Sequence, residues 1–146
     1  MSSIFKIESN SEALEQINKM SRGFLGEKLG IRFTEIGDRS ISATMPVDQS
    51  NQQPAKVLHG GASCALAEEV ASVASNLCLD REKFVSVGVA VTSSHTNSAR
   101  TGEVKAVATP VKLGRTLHVW NVDLFSDEKK LISSSRVTTA VINTLG

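Results

Sequence analysis

The sequence predicts an α+β fold in which an antiparallel β-sheet curls around one long helix. Three patterns carry that expectation. Residues 61–79 read as a helix that is apolar or small around most of its circumference, four segments rich in Val and Thr follow with no helix between them, and two short alternating segments precede it. A helix so apolar must be enclosed rather than laid on a surface, and strands joined without crossover helices pair antiparallel.

The elements follow in chain order. Leu14, Ile17 and Met20 stand at helical spacing in a short amphipathic lead-in, with Ser11 available as its cap, inside an N-terminal extension covering residues 1–22. After Gly23 and Gly30 the period changes to two: Ile31 and Phe33, then Ile41, Ala43 and Met45, are the inward candidates of two strands parted by Gly37-Asp38, a hairpin. Residues 48–54 are polar and unpatterned, a loop that brings Gln53 toward the mouth of the long helix. On that helix Ala62, Leu66, Val70, Val73 and Leu77 form a stripe that Ala67, Ala71 and Ala74 widen. The remaining arc holds Glu68, Ser72 and Ser75, with Glu69 and Asn76 at its edge; Glu68 and Ser72, four apart, share a face. Strands are then expected at 85–94, 103–111, 116–125 and 131–142, the last two joined by a turn at Ser126-Asp127-Glu128-Lys129.

With 146 residues, 40% of them hydrophobic, the chain fits a single domain over 1–146. Sixteen Lys and Arg against 15 acids give no global field to recruit nucleic acid or a membrane surface, so an anionic ligand must be held by local charges. The amino terminus lacks a leader-like apolar run and no segment approaches the roughly 20 apolar residues of a span, so a cytoplasmic protein is expected. One Trp, five Phe and no Tyr do not compose an aromatic peptide-binding surface. Cys64 and Cys78 fall about 21 Å apart on one helix, too far for a disulfide, and no Cys-x-x-Cys pattern signals zinc.

The stretch from Val57 to Glu68 carries chemistry. His59, Gly60 and Gly61 stand at the mouth of the helix, where first-turn N–H groups lack partners and the dipole is positive, and Glu68 lies within the same helix. Such N–H groups polarise a carbonyl, and a carboxylate set among alanines supplies a base or a nucleophile, so the stretch reads as an acyl-transfer site. Glu69 rivals Glu68 by adjacency. Cys64, five residues after His59, is a weaker nucleophile candidate, because nothing in an Ala-rich helix lowers a thiol pKa.

His59-Gly60-Gly61, Leu66-Ala67-Glu68 and Ser72 resemble the active-site helix of the hotdog-fold acyl-CoA thioesterases, most closely the hydroxybenzoyl-CoA type with a helix-borne glutamate. The resemblance runs on through 43–48, Gln53-Pro54, His95, 98–100, Leu113-Gly114, Val119-Trp120 and 133–136, and so covers the chain from about Leu29. Within the family it is similar to the bacterial enzymes that release 1,4-dihydroxy-2-naphthoate from CoA in menaquinone synthesis and to those that clear misloaded aryl groups in siderophore synthesis.

The resemblance implies a hotdog fold and hydrolysis of an aromatic acyl-CoA or acyl-carrier thioester, with the Gly60 amide polarising the carbonyl and Glu68, selected over Glu69, as base or nucleophile. It gives Gln53, His59 and Ser72 supporting roles. It assigns the CoA moiety to Gly88, to His95, Thr96, Asn97 and Ser98, and to Lys112, Leu113, Gly114, Arg115, Thr116 and Leu117, where two cations flank a glycine. No metal and no cofactor beyond the substrate's own coenzyme A are implied. Homodimers, commonly paired into tetramers, are implied too, with Glu68 of one copy facing Gln53 and His59 of the next. Two departures stand out: Asn97 where relatives often carry Arg, and Ala55-Lys56 where a bulkier apolar residue and a Gly are common. The competing readings are a hotdog dehydratase or hydratase, whose carboxylate-histidine spacing differs from this one, and a noncatalytic acyl-CoA-binding dimer, against which the pairing of Glu68 with Gln53 argues.

Overall fold

The computed structural model describes residues 2–144. In chain order they form α1 (Ser11–Met20), α2 (Leu25–Lys28), β1 (Arg32–Ile36), β2 (Ile41–Pro46), α3 (Gly60–Leu77), β3 (Phe84–His95), β4 (Glu103–Leu113), β5 (Leu117–Ser126) and β6 (Leu131–Asn143). The strands make one antiparallel sheet in the order β1-β2-β4-β5-β6-β3. The strand that follows the helix therefore lies at an outer edge, a placement the strand pattern alone did not contain.

Small residues set the enclosure of α3. Ala67, Ala71 and Ala74 are fully buried, and so are Ala43, Ala106 and Ala108 on β2 and β4, all in one core cluster. With no bulk on either side the sheet closes on the helix backbone, while Leu66, Val70, Trp120, Val122 and Leu124 fill the rest. Ile31, Phe33, Ile41, Ala43 and Met45 point inward as alternation requires.

Two expectations are corrected and one element is added. The cap of α1 is Asn10, whose side chain accepts the Ala13 N–H at 2.9 Å, because Ser11 is already the first helical residue. The four-residue α2 has too few positions to show a period and went unread. Ser75, placed on the polar arc, is fully buried, as is nearly all of Ser63. Ser75 is tolerated because its hydroxyl accepts the Trp120 Nε1–H at 2.6 Å and lies 2.9 Å from Thr139 Oγ1, which in turn accepts from Ser86 Oγ at 2.7 Å.

The chain ahead of β1 closes one end. Phe5 stacks on Trp120 with ring centroids 6.5 Å apart, and the Lys6 N–H donates to the Leu77 carbonyl at 2.8 Å. Asn18 of α1 pairs with the backbone of Phe33, accepting its N–H at 2.8 Å and donating to its carbonyl at 3.0 Å. The β1 edge is thereby covered. The β3 edge is not: Val87 and Val89 are 41% and 61% exposed. No helix among the described residues is long and apolar enough to cross a membrane.

Ser75→Ala is expected to cost about 1–3 kcal/mol, since it leaves the buried Trp120 N–H without an acceptor. Urea unfolding followed by Trp fluorescence measures it.

Candidate active site

α3 begins where His59 adopts an extended backbone and caps it: His59 Nδ1 accepts the Gly61 N–H at 2.8 Å. In the neutral ring the proton then sits on Nε2. The N–H groups of Ala62 and Ser63 both donate to the His59 carbonyl, at 2.9 and 3.2 Å. Of the first-turn donors only the Gly60 N–H makes no hydrogen bond among the described residues. A donor so placed is able to polarise a carbonyl.

A side chain at Gly60 would also displace His95. A Cβ built there would stand 2.8 Å from His95 Nε2, so the imidazole at the end of β3 packs directly on the Gly60 backbone. A cleft of about 470 Å³ opens at this point, lined by Gln53, Gly60, Ser63 and residues 95–98, with Val57, Leu58 and Ile132 as its apolar floor. Gln53 reaches it from a tight turn in which the Gln53 N–H donates to the Val57 carbonyl and the Lys56 N–H returns to Gln53. The far wall is held by Thr96 Oγ1 and Asn97 Nδ2, both donating to the Leu131 carbonyl, the latter at 2.9 Å. Ser63 was missed because a serine in an apolar helix has no pattern of its own; its place in the first turn was the available signal.

Glu68 stands elsewhere. Eight residues at about 1.5 Å each separate it from Gly60 by about 12 Å along the helix. There a Cβ on Gly88 would collide with Glu68 Oε1, so glycine is what admits the carboxylate against the edge strand. Glu69 points the other way, accepting from Ser21 Oγ at 3.2 Å with Gly26 packed close by. Ser72 is not hydrogen-bonded to Glu68; with Glu69, Val73 and the exposed Met20, Phe24 and Leu25 it lines a second crevice of about 350 Å³.

The CoA-assigned positions also divide. His95 pairs with Ser133 at one end of β3, whereas Gly88 pairs with Thr139 and Thr139 with His118, at the base of the 112–117 hairpin. Seven strand residues at about 3.3 Å put the two ends roughly 23 Å apart. One chain therefore gathers Gln53, His59, Gly60 and residues 95–98 at one pole, and Glu68, Gly88 and the hairpin toward the other. Residues 112–117 are largely exposed, with the Gly114 N–H bonded to the Leu117 carbonyl at 2.8 Å. Beneath them His118 is buried, which lowers its pKa.

The family model of the thioesterase superfamily matches residues 55–133, from the Gln53 turn to the wall of the cleft. The chain belongs to the thioesterase superfamily. It is 45% identical over 129 residues to the 1,4-dihydroxy-2-naphthoyl-CoA hydrolase of Escherichia coli, covering 88% of this chain and 94% of that one. It is 40% identical over 129 residues to the proofreading thioesterase EntH of Cronobacter turicensis, covering 88% and 93%. The crystal structure of a glutamine-to-alanine variant of thioesterase PA1618 from Pseudomonas aeruginosa superposes with a TM-score of 0.93 at 41% identity, over 97% of this chain and 99% of that one. The sheet around one long helix is the hotdog fold, and the protein is a thioester hydrolase.

Two local features mark the positions where the sequence departs from the family resemblance. Asn97 ties its side chain to the loop at Leu131, a backbone-closing bond. Lys56 has a φ of +62°, the left-handed region that glycine enters freely, and so carries strain. Neither thiol has a nucleophile's setting: Cys64 donates to Ser93 Oγ at 3.3 Å, and burial pushes the Cys78 thiol up to about 11.

With Glu68 as the reacting carboxylate the resemblance implies, Gly88→Ala is expected to lower kcat about 10²-fold, the scale of an ångström-sized misplacement, while the enzyme still folds. Steady-state kinetics beside a melting curve distinguish that result from simple unfolding.

Proposed function

We propose that the enzyme hydrolyses aromatic acyl-CoA thioesters at sites shared between two copies of the chain. The observation that carries this reading is the division of the site: the unpaired Gly60 N–H lies in one cleft with Gln53 and His95, while Glu68 lies about 12 Å along the helix against an open edge strand. A two-fold pairing of β3 edges reverses one strand against the other, bringing the His95 end of one copy to the Gly88 end of its partner. Gln53, His59 and Gly60 of one copy then face Glu68 and Ser72 of the other, and the pantetheine and nucleotide run between residues 95–98 and the 112–117 hairpin. Pairs of such dimers form the tetramer.

The chemistry follows from the groups. A thiol leaves easily because its pKa is about 8.5, so the enzyme's task is to polarise the carbonyl and supply an attacker. The Gly60 N–H, at the positive end of α3, receives the charge that develops on oxygen. Glu68 either takes a proton from water or attacks to form an anhydride that water then opens. Gln53 orients the water or the carbonyl. Similarity to an enzyme named for 1,4-dihydroxy-2-naphthoyl-CoA supports a bicyclic aromatic acyl group and a step in quinone synthesis, with hydroxybenzoyl groups next.

Glu68→Gln is expected to lower kcat by roughly 10² to 10⁴ while Glu69→Gln remains near wild type. Mixing inactive Glu68→Ala and Gln53→Ala chains, after reversible dissociation, is then expected to restore roughly a quarter of the sites, because about half of randomly formed dimers are mixed and each has one intact site. Verified exchange with no recovered thioesterase activity overturns the shared site.

Replacing Lys112 and Arg115 with alanine is expected to raise KM for acyl-CoA roughly ten-fold or more and to leave turnover of the acyl-pantetheine unchanged, since the phosphates are absent from the shorter substrate. Equal loss on both substrates rules out a phosphate role.

A further inference from the structure

The open edge of β3 is tied down at one point. Asn76, the penultimate residue of α3, accepts the Ser86 N–H at 3.0 Å and donates to the Ser86 carbonyl at 3.1 Å and to the Ser72 carbonyl at 2.9 Å. Ser86 is registered opposite Val141 on β6, yet the Val141 N–H donates to Thr116 on the far side, so this is a pair that does not exchange hydrogen bonds. The two polar groups of Ser86 therefore face away from β6, toward the unpaired edge, and a single side-chain amide takes both.

Two residues further along β3 is Gly88, against which the Glu68 carboxylate rests, and immediately beyond it the register with β6 shifts. The bulge interrupts regular pairing beside Gly88, and any displacement of the strand there changes the space beside Glu68. On the helix side, the Ser72 carbonyl that anchors Asn76 lies one turn from Glu68. The clamp thus joins the turn that follows the carboxylate to the strand that backs it.

We propose that Asn76 is a positioning residue for Glu68: it locks edge strand β3 to α3 at Ser86 and so holds Gly88 at the distance the carboxylate needs. The assignment rests on Glu68 being the reacting carboxylate. A second asparagine supplies a chemically matched control. Asn18 makes the same two-bond clamp on Phe33, on the strand at the opposite edge of the sheet from β3.

The test compares Asn76→Ala with Asn18→Ala in the full-length enzyme, using benzoyl-CoA as substrate and correcting for folded fraction. Asn76→Ala is expected to lower kcat about ten-fold or more with KM changed less than about three-fold, as suits a displaced reacting group. Asn18→Ala is expected to lose comparable stability and keep kcat. Asn76→Asp, which retains the acceptor for the Ser86 N–H, is expected to fall between Asn76→Ala and wild type. Equal kcat in Asn76→Ala and Asn18→Ala shows a purely structural clamp and overturns the proposal. Glu68→Gln, measured alongside, separates the two readings: full activity there removes the carboxylate assignment and the proposal with it, whereas an inactive Glu68→Gln beside a fully active Asn76→Ala overturns the clamp alone.

Discussion

The enclosure of α3 by the sheet is the constraint on which the rest of the molecule depends. The helix runs antiparallel to β3, and contacts are strung along the pair: Gly60 at His95, Cys64 at Ser93, Glu68 at Gly88, Asn76 at Ser86. A rod held over its whole length cannot bend to bring its mouth to its middle. The distance between the Gly60 N–H and the Glu68 carboxylate is therefore set by the helical rise, at about 12 Å, and no loop movement shortens it. On the proposed mechanism, two chemical groups needed at one carbonyl are kept apart by the element that carries them both.

The sheet's edges answer that separation differently. At β1 the lead-in helix covers the strand, with Asn18 taking both outward groups of Phe33. At β3 the same device acts on Ser86 alone, and the strand beyond it, with Val87 and Val89 exposed, remains available. An edge with unsatisfied N–H and C=O groups and apolar side chains is unfavourable in water and favourable in contact with another strand. The chain blocks addition at one edge and leaves it possible at the edge where the proposed shared site needs a second copy.

Much of this was legible in the residues. Alternation located the inward side chains of β1 and β2, and the all-round apolar character of residues 61–79 announced an enclosed helix. Ser75 was not legible, because a wheel assigns each residue one angle while a curved sheet covers more than half the circumference, and only the Trp120 N–H opposite explains a serine there. The cap at Asn10 was missed by one position for a similar reason: Asn and Ser are both good caps, and periodicity does not fix the first helical residue. The edge position of β3 is a matter of spatial order, which strand patterns do not encode.

The division of the site was legible only through the family resemblance, which set Glu68 of one copy against Gln53 and His59 of the next, and not through the residues themselves. A motif names residues that meet a common ligand without saying which copy of the chain supplies each one, so Gly88 and Gly60 look equivalent in a string although each glycine does a separate job. Gly60 makes room for His95 and Gly88 makes room for Glu68. Both are places where a side chain from one element must approach another's backbone, and glycine is the residue that permits this without distorting either. If Gly88 had a Cβ, the carboxylate would be driven off the edge strand; if Gly60 had one, His95 would be driven off the donor. On the shared-site reading each glycine preserves one half of a reaction centre that is complete only when two copies of the open edge meet.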